Sequence, residues 1–239
     1  MSSSDFFTEK HGLIDFHSHI LPGADHGSEN LETSIAQLRL AKNNSVEKIL
    51  ATPHFYPAQH SVDEFISLRN NAAKKLLSES DSNIPQIKLG AEVLLCDGLD
   101  RLPGLENLCF SNTKYIMIEL PFLDFSENMA ATVEAIADHG FKVILAHADR
   151  YPKNSIDFLL DYGVHSLQIN ALSLCSHFKK KHIYRWMEKG LVSMLGSDIH
   201  RIDKRAYQNF SKAQKRIEPY LSHIKEKSDA IWNEIESIK

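Results

Sequence analysis

The chain alternates short apolar runs with longer stretches in which apolar residues recur every three or four positions. The runs are "LIDF" (13–16), "EKILAT" (47–52), "QIKLGA" (86–91), "KYIMIE" (114–119), "KVILA" (142–146), "SLQIN" (166–170) and "VSMLG" (192–196). Each is bounded by polar residues or glycine, the pattern of strands buried on both faces of a parallel sheet. Between the first two, residues 29–44 place Leu31, Ile35, Leu38 and Ala41 on one stripe, as an amphipathic helix does. Ser61 followed by Glu64 forms a capping box that opens a helix over 61–80. Helices over 128–140 and 154–163 each run to a glycine stop, and two more, 203–218 and 221–237, close the chain. Residues 97–113, interrupted by Gly98, Pro103 and Gly104, read as an irregular connection. No repeat or linker divides the sequence, so 12–239 is expected to form one α/β domain behind a flexible tail, 1–11. Repeated strand–helix alternation predicts a parallel sheet, open or closed into a barrel.

Composition narrows the function classes. At 239 residues, with 43% hydrophobic and 24% charged positions, the chain can bury a sizeable core. A net charge of −4 and a pI near 6.3 offer no pull toward nucleic acid or an anionic membrane. No apolar run approaches the roughly 20 residues of a membrane span, and "MSSSDFFTEKHG" lacks the plan of a secretory signal. Cys96, Cys109 and Cys175 are an odd number without paired spacing, which suits a reducing compartment. The expectation is a cytoplasmic protein with no nucleic-acid partner and no membrane insertion. Thirteen histidines are the unusual feature.

Those histidines are not scattered. Reading the residue at or just past the carboxyl end of each predicted strand gives His17 and His19, His54, Glu92, Glu119, His147, Asn170, and Asp198 with His200. In a parallel α/β barrel those ends form one face, where active sites are assembled from several strands. Taken singly, each histidine reads as a capped or surface residue. Glu119 is harder to dismiss, because an unpaired carboxylate after four apolar residues is costly to bury, and a metal or an arginine relieves that cost. His17 and His19 are alternate residues and share a strand face. The whole array exceeds what one ion can use, since zinc takes about four ligands and harder ions about six. Two or three metals bridged by carboxylates is the natural reading, and clustered metals hydrolyse phosphate esters by activating water and clamping the transferred oxygens. Arg150 and Arg205, each placed shortly after a candidate ligand, suit a phosphoryl group.

These elements resemble the polymerase-and-histidinol-phosphatase (PHP) family of phosphoesterases, in its CpsB-type branch of bacterial protein-tyrosine phosphatases. The matching segments are "DFHSHILPGADHG", "ATPHFYP", "GAEV", "YIMIELP", "ILAHADRY", "QIN" and "GSDIH" followed by Arg205, in family order. The resemblance implies a distorted TIM-like (β/α)7 barrel with a trinuclear site at its C-terminal face. Manganese is the expected ion, with iron, zinc or magnesium as alternatives. It assigns His17, His19, Glu92 and Asp198 to the first metal. Glu92 bridges to a second that also takes Glu119 and His147, and the third takes His54, His200 and one of Asp25 and His26. The branch reads Asp-Asp-Gly where this chain has Asp25, His26 and Gly27. His26 is therefore expected to bind metal with Asp25 beside it as general acid, the reverse being the alternative. Arg150 and Arg205 match the positions that hold phosphate.

The implied reaction is hydrolysis of phosphotyrosine by metal-activated water, on the Tyr-rich tail of a bacterial tyrosine kinase that regulates capsular or exopolysaccharide synthesis. A thiol route needs Cys, five residues, then Arg. "CDGLDR" places Arg101 one position short of that spacing, and neither Cys109 nor Cys175 has an arginine suitably placed. The alternatives are a small-molecule phosphatase of the same fold, with histidinol phosphate the obvious substrate, and a non-catalytic metal-binding regulator. Phe55, Tyr56, Phe122, Phe125 and Tyr151 sit beside candidate ligands, where they either line an aromatic-accepting cleft or simply pack.

Overall fold

The computed structural model describes residues 13–81, 83–121, 126–176 and 181–238; the tail expected over 1–11 lies outside them. In chain order the first half carries β1 (Leu13–Ser18), α1 (Leu31–Asn43), β2 (Val46–Ala51), β3 (His54–Phe55), α2 (Val62–Glu79), β4 (Gln86–Leu89), β5 (Glu92–Leu94) and β6 (Tyr115–Glu119). Then come α3 (Glu127–Asp138), β7 (Lys142–Leu145), α4 (Lys153–Leu160), β8 (Val164–Asn170), α5 (Ala171–Cys175), α6 (Lys181–Glu188), β9 (Val192–Gly196), α7 (Lys204–Arg216) and α8 (Glu218–Ser237).

All strand pairs are parallel, in the orders β1-β2-β4 and β3-β5-β6-β7-β8-β9. Two staves run past the ends predicted for them, each through a break. β2 passes into β3 across Thr52 and Pro53, and Pro53 has no N–H to give a ladder. β4 passes into β5 across Gly90, where a Cβ would lie 3.0 Å from Phe110. Hydrogen bonds from Gly90 N to Ala51 O (2.8 Å) and from Glu92 N to Pro53 O (3.1 Å) carry the pairing through both breaks. β9 meets β1 through Asp198 N to His17 O (2.8 Å) and His19 N to Ile199 O (3.0 Å). The result is a closed, distorted barrel of seven parallel staves, with β2/β3 and β4/β5 each counting as one.

Two apolar clusters hold it. The larger packs helices against the outside of the barrel. The smaller joins Phe16, Leu50, Met117, Ile144 and Met194 to Trp232 and Ile235 of α8. Along β6, Tyr115, Met117 and Glu119 share one face, so two buried side chains lead up to a single carboxylate. Ser61 and Glu64 form the expected capping box. Gly140 and Gly163 end their helices at φ +84° and +86°. Residues 97–113 form three short 3-10 turns. α5 and α6 were not predicted. The buried stripe of α6, Ile183, Trp186 and Met187, is too short to stand out as a periodicity. Among the described residues no helix is long and apolar enough to cross a membrane.

Candidate metal centre

Parallel pairing brings the carboxyl ends of the staves to one face, and the predicted ligands meet there. His17 lies near the end of β1, with His19 just past it. The broken staves bring His54 and Glu92 to the first positions of β3 and β5, opposite each other in register. Glu119 ends β6. His147 and Asp198 follow β7 and β9 in left-handed backbone, φ +29° and +54°, which costs a non-glycine residue about 1–3 kcal/mol. Their amides donate to Gln168 Oε1 (2.6 Å) and His17 O (2.8 Å), which holds both conformations.

The side chains converge on buried Glu92. Its Oε2 lies 3.1 Å from His17 Nε2, 3.2 Å from His19 Nε2 and 3.1 Å from His54 Nδ1. Its Oε1 lies 2.7 Å from His147 Nε2. Glu119 is 3.1 Å from His54 and 3.8 Å from His147. Asp198 Oδ1 is 3.6 Å from His17 Nε2 and 3.4 Å from His19 Nε2. His200 brings its Nε2 to 3.3 Å from His54 Nε2 and stacks on His19 at 3.9 Å. Three groups have ligand atoms close enough to share an ion: His17, His19 and Glu92; His54, Glu92 and Glu119; and His19, His54 and His200.

Donor–acceptor chemistry decides what belongs between them. His17 Nδ1 faces Gln168 Oε1 (3.0 Å), His19 Nδ1 faces Asp25 Oδ2 (2.6 Å), and His200 Nδ1 faces the Asp198 carbonyl (3.1 Å). Each acceptor claims a ring proton, so in the neutral rings all three Nε2 atoms present lone pairs to the cluster. His17 and His19 Nε2 stand only 3.2 Å apart, beside Glu92 Oε2. Glu92 Oε2 and Asp198 Oδ1 are buried without a hydrogen-bond donor. Such a crowd of lone pairs repels itself unless positive charge stands within it. Imidazole and carboxylate donors without thiolate suit hard or borderline divalent ions, so the residues present fit a divalent metal centre.

Electrostatics point the same way. Burial opposes a charge on His17, but Glu92 and Asp198 outweigh it and raise its pKa to about 9. Burial is likewise overcome at His19, which Asp198, Asp25 and Glu92 push well up. In return the histidines hold buried Glu92 and Asp198 well below the usual carboxylate range. Protons meet this demand in metal-free protein, and divalent ions displace them.

The remaining predicted residues divide. Asp25 accepts from His19 Nδ1 and His54 N (3.0 Å) at one oxygen and from Gly27 N (2.8 Å) at the other. Burial notwithstanding, the His19 contact keeps it well below the usual carboxylate range. Three donors therefore surround the Asp25 carboxylate, the residue expected as general acid, and one of them is the ring of a candidate ligand. His26 stacks over His54 at 4.5 Å and His200 at 4.9 Å, above the three ligand groups and in none of them. Arg150 reaches the cluster, its guanidinium bonded to Asp198 Oδ2 and 41% exposed. Arg205 does not: it is 83% exposed and lies 3.8 Å from Asp203. Of the aromatics, Phe55 is core, packed on Phe65 at 5.1 Å. Tyr151 is buried with its hydroxyl on Leu120, while half-buried Tyr56 stacks on His54 at 5.2 Å. Phe122 and Phe125 lie outside the described residues. Burial pushes the Cys109 thiol up to about 12, far from a thiolate at neutral pH, and raises Cys96 and Cys175 as well.

Three functional residues were missed. Asp15 accepts the amides of His17 (3.2 Å) and Ser197 (2.8 Å), joining β1 to the loop after β9. Asp149 accepts from Asn170 N (2.8 Å) and Ser173 Oγ, tying the Arg150 turn to β8. Gln168 contacts His17, His147 and Asn170. For Asp15 and Gln168 the available signal was a polar residue inside an apolar run, costly to bury unless partnered.

Comparison with known proteins adds an independent line. The profile of the family described as capsular polysaccharide synthesis, CpsB/CapC, matches residues 13–231. The chain is 26% identical over 208 residues to the tyrosine-protein phosphatase CpsB of Streptococcus agalactiae, covering 81% of this chain and 85% of that protein. It is 28% identical over 208 residues to the tyrosine-protein phosphatase YwqE of Bacillus subtilis, covering 82% and 80%. Its fold matches a crystal structure from work on Bacillus subtilis YwqE and Streptococcus pneumoniae CpsB, there described as metal-dependent tyrosine phosphatases. That match has a TM-score of 0.69 and 24% identity, over 85% of this chain and 87% of the other.

Proposed function

The chain belongs to the CpsB/CapC family of capsular polysaccharide synthesis, and from that premise we propose that it is a metal-dependent protein-tyrosine phosphatase. The observation that carries the reading is the convergence of five histidines and three carboxylates at one end of a closed barrel, their lone pairs turned toward one another. His17, His19, Glu92 and Asp198 would hold a first ion; Glu92, Glu119 and His147 a second; His54 and His200 a third, with His26, stacked on both, as its further ligand. Manganese is the ion we expect. Bound divalent ions supply Lewis acidity, lowering the pKa of water toward neutrality and neutralising phosphoryl oxygens.

The chain's own residues do the rest. Asp25 orients His19. Arg150 spends one N–H on Asp198, and its remaining donors face outward to bind the phosphoryl group and the charge it gains in the transition state. Arg205, exposed at the start of α7 and 3.8 Å from Asp203, is given no phosphate contact in this reading. Tyr56, stacked on His54, offers a surface for the substrate's aryl ring. A phenolate is a good leaving group, so the reaction has less need of a protonated acid. The substrate we propose is the phosphorylated Tyr-rich tail of a bacterial tyrosine kinase, met in the cytoplasm.

The test is phosphate release from a phosphotyrosyl peptide and from histidinol phosphate, side by side, with added Mn²⁺, after chelation, and with His147→Ala. Peptide turnover that requires both metal and His147 is expected. Preference for histidinol phosphate would keep the site and change the substrate, and no turnover of either by metal-loaded protein would overturn the reading.

A further inference from the structure

We infer that Gln168 is a positioning residue that sets the hydrogen-bond polarity of the metal centre, orienting His17, His147 and Asp198 through one buried amide. The inference rests on the metal-centre reading above. It begins from a donor with no choice: the backbone N–H of His147, 2.6 Å from the Gln168 side chain. A backbone amide only donates, so the atom facing it must be Oε1. His17 Nδ1, 3.0 Å from the same oxygen, must then carry a proton, which leaves Nε2 of the neutral ring with its lone pair toward Glu92. The other end follows. Gln168 Nε2 donates to Asn170 Oδ1 at 3.0 Å, so Asn170 Nδ2 is the atom that donates to Asp198 Oδ2 at 2.9 Å. A single glutamine thus fixes the ring of one ligand, the left-handed backbone of a second and, through Asn170, the carboxylate of a third.

Packing leaves the amide nowhere else to go. Gln168 is fully buried. Gly196 lies against it, and a Cβ there would come within 2.5 Å of both Gln168 Nε2 and His17 Cβ. Glycine at 196 gives the amide the space to lie beside the His17 ring. The buried polar side chain in the middle of "SLQIN" is thereby explained.

The test compares Gln168→Met, which keeps length and burial, with Gln168→Glu, which keeps an acceptor for both His147 N and His17 Nδ1. Mn²⁺ affinity is measured by chelator competition, and the stability of the chelated protein by urea unfolding. Gln168→Met is expected to bind Mn²⁺ about 10-fold or more weakly, and Gln168→Glu to recover most of that loss. Unchanged affinity in Gln168→Met would overturn the inference, as would a loss confined to metal-free stability. If Gln168→Met does not fold, Asn170→Ala puts the same question to the Asp198 end, and unchanged Mn²⁺ affinity there would overturn the relay. Wild-type protein that binds no Mn²⁺ would instead overturn the metal-centre reading itself.

Discussion

His54 and Glu92 face each other from the first positions of two adjacent parallel strands, with Nδ1 3.1 Å from Oε2. Two staves break, one at Pro53 and one at Gly90, and the pairing beyond both keeps the register set before them. Glu92 lies between three imidazole nitrogens at one oxygen and a fourth at the other, so its charge is the hub of the site. Glu92→Gln keeps the shape and removes the charge. Saturating Mn²⁺ at about 100 times its Kd should stabilise wild type by about 2.7 kcal/mol, a rise in Tm of roughly 5–10 °C for a chain of this size. In Glu92→Gln that rise should vanish in a thermal scan, together with activity.

Asp25 distinguishes orientation from acid catalysis. Its carboxylate takes three donors, and a carboxamide in its place would turn an N–H₂ toward at least one of them. Asp25→Asn should weaken metal affinity by about 10–100-fold and slow aryl and alkyl phosphates alike. Selective slowing of the alkyl ester, with metal affinity intact, would restore the general-acid role.

Gly27 is a steric requirement of the same corner. A Cβ at this position would collide with His19 Cβ and lie 2.6 Å from the His19 carbonyl oxygen. Gly27→Ala should destabilise the protein by about 1–3 kcal/mol and shift His19. Denaturant midpoints and Mn²⁺ affinity should fall together.

The stability of metal-free protein should depend on pH through His17. Despite burial, Glu92 and Asp198 raise its folded pKa to about 9, above the ordinary value of 6.5. The associated stabilisation is fully present below 6.5 and is lost as pH rises through 9. Urea midpoints of chelated protein should therefore fall between about pH 6.5 and 9.5. Metal-loaded protein, in which the ion replaces that proton, should not show this fall.

Much of this architecture was legible along the chain, for a local reason. Strands buried on both faces are bounded apolar runs, and the residue at or just past each run's end is read directly, so His17, His19, His54, Glu92, Glu119, His147, Asp198 and His200 declared themselves. The strand breaks did not, because Pro53 and Gly90 look like ends when read locally, and only neighbouring strands show that pairing resumes. Asp25 and Phe55 show the same limit. A side chain's role depends on which donors or apolar groups surround it, and those come from residues distant in sequence.

By itself the sequence determined the alternation of elements, the parallel class and the chemical kinds gathered at the strand ends, because periodicity and side-chain chemistry are properties of neighbouring residues. Tertiary structure alone decided the closure of β9 onto β1, the contact of Asp25 with His19 and the placing of Arg150, but not Arg205, against the cluster. It also decided the polarity that His147 N–H imposes through Gln168. Hydrogen-bond direction and lone-pair crowding arise only between groups that folding brings within about 3 Å, and no spacing along a chain encodes which groups those will be.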